Sequence, residues 1–204
     1  MTPGSVAIVA MGLSHADYML AALHSGGKRN VADEVWGINA IGGVLQCDRV
    51  FMMDRPSYLL SFPEGLDYQW MWTYQGPIYT SVSDMPELKW VEEYPLEDVL
   101  NCIRYPYLNT TVAYAVAYAI YLGVRSISLY GCDFTYPDNH AGESGRGCVE
   151  FLLGIAAERG IKIHVAGRST LLDVGQPMKD RFYGYVDLQV DVVGGRFIVK
   201  KEQR

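Results

Sequence analysis

Half of the 204 side chains are hydrophobic, 20% are charged and 12% aromatic, a profile that excludes disordered and fibrous classes. The 23 acidic against 17 basic residues leave a net charge of −6, which argues against a dedicated duplex-binding protein, because neutralising phosphates needs a basic face. A chain this long can bury about 70% of its unfolded surface without disulfide or metal staples, so residues 1–204 are expected to form one domain.

Cys47, Cys102, Cys132 and Cys148 contain no C-x-x-C pair, so zinc and thioredoxin chemistry lack support and reduced, buried thiols are expected. Arg, Asp, Gly or Pro interrupts every apolar run before the roughly 20 residues of a spanning helix, and no basic-then-apolar leader opens the chain. No membrane span and a cytoplasmic location are expected.

Residues 5–12 (SVAIVAMG) form an apolar, β-branched run ending in Gly, the pattern of a strand buried on both faces of a parallel sheet. HADYMLAALHSGG then reads as a helix closed by Gly26 and Gly27, and residues 34–40 and 49–54 repeat the apolar strand pattern. Residues 56–106 hold three of the four tryptophans and many prolines and tyrosines. They read as an irregular aromatic-rich insertion with only short strand candidates such as residues 76–81.

Residues 110–123 (TTVAYAVAYAIYLG) are the clearest helix, with Asn109 or Thr110 as N-cap and Gly123 at its end. A strand over 125–131, a polar, Gly-rich loop over 132–147, a helix over 148–159 and a strand over 161–165 follow. This alternation predicts an α/β, Rossmann-like, mostly parallel sheet with helices on both faces and a ligand at the carboxyl ends of the strands. Residues 185–200 alternate around Gly194-Gly195 and read as a C-terminal β-hairpin. An isolated hairpin is marginal in water, so this one is expected to pair with another edge or chain, making homo-oligomer formation its expected use.

Several polar residues fall at the predicted carboxyl rim. Gly12 and Ser14 open the first helix, where unpaired N–H groups and the helix dipole favour an anion; a simple turn at Gly12 and an N-cap at Ser14 account for the same residues. Asn39 can read a base or ribose edge, or serve only as a left-handed strand terminus. Asp54 and Asp133 can hold Mg²⁺ or orient a sugar hydroxyl, or cap loops. Thr110 and Thr111 offer hydroxyls and N–H groups at a helix start. His140, in the polar loop, can titrate near neutrality as a general base, with a plain exposed histidine as the competing reading. His164 reads as a partly buried strand residue, while His15 and His24 flank the first helix without evident partners.

The succession VAIVAMGLS, GINAIGG, TTVAYAVAYAIYLGVRSISLYGCDF, a His-containing loop and CVEFLLGIAAERGIKIHVAGRSTLLD resembles the bacterial sialyltransferases of glycosyltransferase family 42. It is also similar to the related MptE-like proteins of the DUF115 group. The most specific segment is Leu122, Gly123, Ile127, Leu129, Gly131, Asp133 and Phe134, which fits L-G-x-x-x-I-x-L-x-G-x-D-F. The resemblance implies a metal-independent, inverting, nucleotide-sugar-dependent glycosyltransferase with a CMP- or UDP-type donor as its small-molecule nucleotide ligand and no obligatory cofactor. It assigns Gly12, Ser14, Asn39, Thr110 and Thr111 to the nucleotide, with Asp54 and Asp133 at the same rim. His140 matches the catalytic base and Tyr136 the tyrosines that steady the leaving phosphate.

The chain departs from the family in its A-M-G-L-S first turn, its short 135–140 stretch and its length, features of a small, phage-type relative. Two other functions fit the same residues. One is MptE-like, ATP-dependent diphosphate transfer to a small hydroxymethyl compound, with Asp54 and Asp133 on Mg²⁺. The other is a non-catalytic nucleotide or nucleotide-sugar binding protein.

Overall fold

The computed structural model describes residues 2–61, 68–135, 139–183 and 188–201, except for the side chains of 139–141, 179, 188 and 201. Seven strands, β1 (Ser5–Val9), β2 (Glu34–Ile38), β3 (Arg49–Phe51), β4 (Ile78–Thr80), β5 (Val91–Glu93), β6 (Ser126–Tyr130) and β7 (Lys162–Val165), form one sheet. All are parallel, in the order β5-β4-β3-β2-β1-β6-β7. Every apolar run read as a strand is one, and β1 stops at Val9 so that residues 10–12 form the turn beyond it.

Alternating side chains of β1 serve two layers, as the two-residue strand period requires. Val6 and Ile8 join the larger core, which includes residues of α3 (Leu96–Ile103), α4 (Thr111–Leu122) and α5 (Asn139–Glu158). Ala7 and Val9 join a smaller core on the opposite face with Tyr18 of α1 (His15–Ser25). Ala113, Ala115, Ala117 and Ala119 of α4 are fully buried on more than one face of the helix, so their short side chains let the sheet and the neighbouring helices approach closely. An aromatic cluster fills the adjoining space: the Tyr118 ring lies 5.7 Å from Trp36 and 4.9 Å from Tyr79, and the two tyrosine hydroxyls are 2.8 Å apart.

The insertion over 56–106 is more regular than its composition suggests. It supplies β4, β5, the short helix α2 (Pro56–Leu60) and α3, the last carrying Glu97 and Asp98 in its first turn, where carboxylates oppose the helix dipole. A second difference is the length of α5, which begins at Asn139, nine residues before the helix expected at 148. Three glycines (142, 145 and 147) weaken this stretch intrinsically, but tertiary contacts favour it. Gly145 admits the Phe134 ring where a Cβ would stand 2.8 Å from it, and the Asn109 amide donates to Ser144 Oγ at 2.6 Å. His140 therefore belongs to the first turn of a helix rather than to a loop.

Cys132 and Cys148 are buried, whereas Cys47 and Cys102 are only partly so, and all four are free thiols. His164 lies in β7 as expected but is exposed, its ring 5.8 Å from that of Tyr130. Among the described residues no helix is long and apolar enough to cross a membrane.

The C-terminal hairpin joins β8 (Leu188–Val193) and β9 (Arg196–Lys201) through Gly194 and Gly195, both at positive φ. It forms its own two-stranded sheet. Cross-strand pairs Val190–Val199 and Val192–Phe197 share one face, so that face is apolar, and Val192, Phe197 and Val199 are 59%, 70% and 53% exposed. Residues 184–187, where the hairpin was expected to begin, lie outside the described residues.

The tight seat of α4 makes a prediction. Ala117→Leu should overpack the interface and lower the unfolding free energy by about 1–3 kcal/mol, read as a lower urea midpoint at unchanged slope.

Candidate functional site

The strand order grows in one direction from β1 through β5 and in the other through β6 and β7. Neighbouring connections diverge where it reverses, which opens a crevice at the carboxyl ends of β1 and β6. A cleft of about 270 Å³ lies there, lined by residues 10–12 after β1, Ile38 and Asn39 at the end of β2, residues 110–112 at the start of α4, and residues 131–135 after β6. Gly12, Asn39, Thr110, Thr111 and Asp133, separated by up to 121 positions in the chain, thus share one cavity.

Ser14 and Asp133 hold the two sides of this crevice together. The fully buried Ser14 hydroxyl donates to Asp133 Oδ1 and accepts from the Gly131 N–H at 2.7 Å. The Ser14 N–H donates to Asp133 Oδ2 at 2.7 Å, and the Gly12 N–H donates to the Gly131 carbonyl at 2.9 Å. Gly131 is required here: its φ is +67°, and a Cβ would overlap the Ala10 carbonyl oxygen. Thr170 Oγ1 and Ser169 Oγ donate to the carbonyls of Asp133 and Cys132 from the far side.

These bonds correct three expectations. Ser14 makes no side-chain cap and does not line the cleft, because its hydroxyl is turned into the β1–β6 seam. The N–H groups of Gly12 and Ser14 are spent on Gly131 and Asp133, so they are not free for an anion. Asp133 is 4% exposed, with both carboxylate oxygens engaged by Ser14. Asp54 is exposed, accepts the Thr80 hydroxyl at its carbonyl and is absent from the cleft wall. Three strand spacings separate β3 from β6, about 14 Å at ~4.8 Å each, too far for Asp54 and Asp133 to share one ion. No cluster of three or more potential metal ligands occurs among the described residues.

The polar groups that do face the cleft are of another kind. Thr110 precedes α4 in an extended conformation, with no side-chain cap bond. The first N–H groups of that helix lack intrahelical acceptors, and they point the positive end of the helix dipole at the cavity. Asn39 adopts φ +53°, and its Oδ1 is buried without a hydrogen-bond partner among the described residues. Asn39 thus ends the strand in the left-handed region, as one of its two readings expected. Among the described residues no Lys or Arg lines the cleft, so the helix start is a source of positive potential there. Burial, reinforced by Asp133, pushes the Cys132 thiol far above its usual range, which keeps it protonated and unsuited to act as a nucleophile.

Tyr136 lies outside the described residues, as does the His140 side chain. The His140 backbone is four residues before Ser144 on α5, about 6 Å along the helix from the Asn109–Ser144 contact beside Thr110. Sequence reasoning had no partner for His15, whose Nδ1 is 2.8 Å from the Gly12 carbonyl oxygen. It also missed Trp70, whose signal was the adjacent glycines Gly42 and Gly43 that admit its ring.

Removing the Ser14 hydroxyl tests the seam. Ser14→Ala should strand a Gly131 N–H and an Asp133 oxygen in the interior, at about 1–3 kcal/mol for each unsatisfied group, measured by equilibrium unfolding.

No protein-family model matches the chain, and no curated protein is significantly similar to it in sequence. Among solved structures, the sialyltransferase CstII from Campylobacter jejuni in complex with CMP-3FNeuAc is 16% identical at a TM-score of 0.51, with 98% of this chain and 90% of that chain covered. A point variant of the α-2,3/8-sialyltransferase CstII is 17% identical at a TM-score of 0.51, with coverages of 98% and 92%. The chain thus shares the overall fold of these sialyltransferases.

Proposed function

We propose that this protein is a nucleotide-sugar-dependent glycosyltransferase of the sialyltransferase-like, inverting type, with a CMP- or UDP-type donor bound in the β1–β6 cleft. The observation that carries the reading is the cleft itself. It combines a helix start suited to phosphate with an unused, buried Asn39 acceptor suited to a base or ribose donor, in a fold whose solved neighbour holds a CMP-sugar analogue.

In this reading Thr110 and Thr111 receive the phosphate and Asn39 orients the nucleoside. Gly12 lets the turn close against Asp133 and Gly131, where a Cβ would clash, and so keeps its backbone in the cleft wall. Ser14 and Asp133 are positioning residues that set the shape of the rim. The acceptor hydroxyl oxygen attacks the anomeric carbon as the bond from that carbon to the phosphate oxygen breaks. The phosphate departs with the bonding electrons, and His140 takes the acceptor proton. Tyr136 steadies the departing phosphate.

The separation of Asp54 from Asp133 removes the paired carboxylates on which metal-dependent diphosphate transfer would rest. A non-catalytic nucleotide-binding protein is favoured instead by the short stretch between Thr135 and His140, and turnover distinguishes it from the enzyme. The apolar hairpin face is assigned to self-association, and deleting residues 185–201 should lower the mass measured by light scattering.

Calorimetry should show CMP or UMP binding that is clearly weakened, though still measurable, in Asn39→Ala. His140→Ala should keep that affinity while its transfer rate falls about 10²- to 10⁴-fold. Wild-type activity should decline as pH falls through the imidazole pKa, since the protonated ring cannot accept a proton. Normal turnover by His140→Ala would remove the base from the reading, and binding without any turnover would leave only a binding protein.

A further inference from the structure

We propose that Trp70 is a positioning residue for the nucleotide site, clamping the turn that carries Asn39; the inference rests on the glycosyltransferase reading above. The turn is the 3₁₀ segment Asn39–Gly43, which leaves β2 at the cleft and ends in two glycines. Both glycines lie against the indole. A Cβ on Gly42 would overlap the six-membered ring, and one on Gly43 would stand 2.5 Å from Cδ1. The ring therefore rests on bare main chain across the last two residues of the turn.

The other sides of the indole are fixed. Tyr74 meets it edge-on at 5.6 Å and 81° and donates its own hydroxyl to the Cys47 carbonyl at 3.1 Å. Trp70 also packs against the core cluster of Val50, Met52 and Met71. Its Nε1 is buried with no hydrogen-bond partner among the described residues, so contact with the glycines and the core, rather than a directional bond, sets its place.

At the head of the same turn, Asn39 holds a left-handed backbone. Such a conformation costs a non-glycine residue of order 1–3 kcal/mol and persists only where its surroundings over-determine it. The turn's own bonds are the i→i+3 bonds of the 3₁₀ segment, continued by the Val44 and Leu45 N–H groups to the Ile41 carbonyl, and they fix main chain but not its seat on the core. The clamp adds that seat: with Gly42 and Gly43 held, Asn39 has little freedom to relax, and it keeps its place in the cleft wall before ligand arrives. Preorganisation of this kind raises affinity by removing an ordering cost from binding.

The test combines CMP calorimetry on wild type, Asn39→Ala, Trp70→Ala, Trp70→Phe and the Asn39→Ala/Trp70→Ala double variant with amide hydrogen exchange of residues 39–45 in the absence of nucleotide. Trp70→Ala should weaken CMP binding about tenfold, a coupling of ordinary size for residues in one network. The double variant should lose no more than Asn39→Ala alone, and Trp70→Phe should restore most of the affinity. Exchange at Val44 and Leu45 should accelerate about tenfold in Trp70→Ala and stay near wild type in Trp70→Phe. If Trp70→Ala does not fold, Gly43→Ala displaces the ring from the opposite side and should give the same pattern. Additive losses, or unchanged exchange at 39–45, would overturn the clamp while leaving the functional reading intact. Absence of CMP and UMP binding by wild-type protein would overturn that reading itself, and with it any nucleotide role for Trp70.

Discussion

Ser14 and Asp133 meet where two halves of a parallel sheet diverge, and the cleft depends on that meeting. In a sheet that grows outward in both directions from β1 and β6, the ladder bonds between that pair stop where the strands end. Here the carboxylate accepts both the hydroxyl and the N–H of Ser14, and the same hydroxyl accepts the Gly131 N–H. The turns after β1 and β6 and the start of α1 become one unit. A buried carboxylate is costly unless its oxygens are bonded, so this arrangement tolerates little change, and it fixes the rim from which any ligand is approached.

The knot also determines the electrostatics of the cavity. It consumes the N–H groups of Gly12 and Ser14, which in many nucleotide-binding folds would face a phosphate, and it hides the Asp133 charge. The start of α4 remains as a positive element of a cleft that, among the described residues, has no lysine or arginine in its wall. The charge complement is modest and directional, which fits a ligand recognised as much by hydrogen bonds and shape as by net attraction. In the proposed reading, Asn39 in the cleft wall provides that recognition.

Much of this was legible in the sequence, and what was not has identifiable causes. Runs such as SVAIV and SISLY are apolar and β-branched over five residues, so their burial on both faces could be read directly. Strand β5 could not: Val91–Glu93 has one apolar residue and lies at the sheet edge, where only pairing with β4 defines it. The first nine residues of α5 contain three glycines and read as loop, because contacts with Phe134 and Asn109 supply what local propensity lacks. Gly12, Asn39, Thr110, Thr111 and Asp133 could be gathered at one rim by topology alone. That Ser14 turns inward to Asp133, 119 positions away, depends on side-chain packing that no local pattern encodes.

The most direct test of the account is a residue-resolved amide NMR map of the protein titrated with CMP. The account predicts saturable shifts concentrated at residues 10–12, 38–39, 110–112 and 131–135, the walls of the β1–β6 cleft. Shifts confined to the opposite edge of the sheet, around Arg125 and Lys162, would contradict it, as would a spectrum unchanged by the nucleotide.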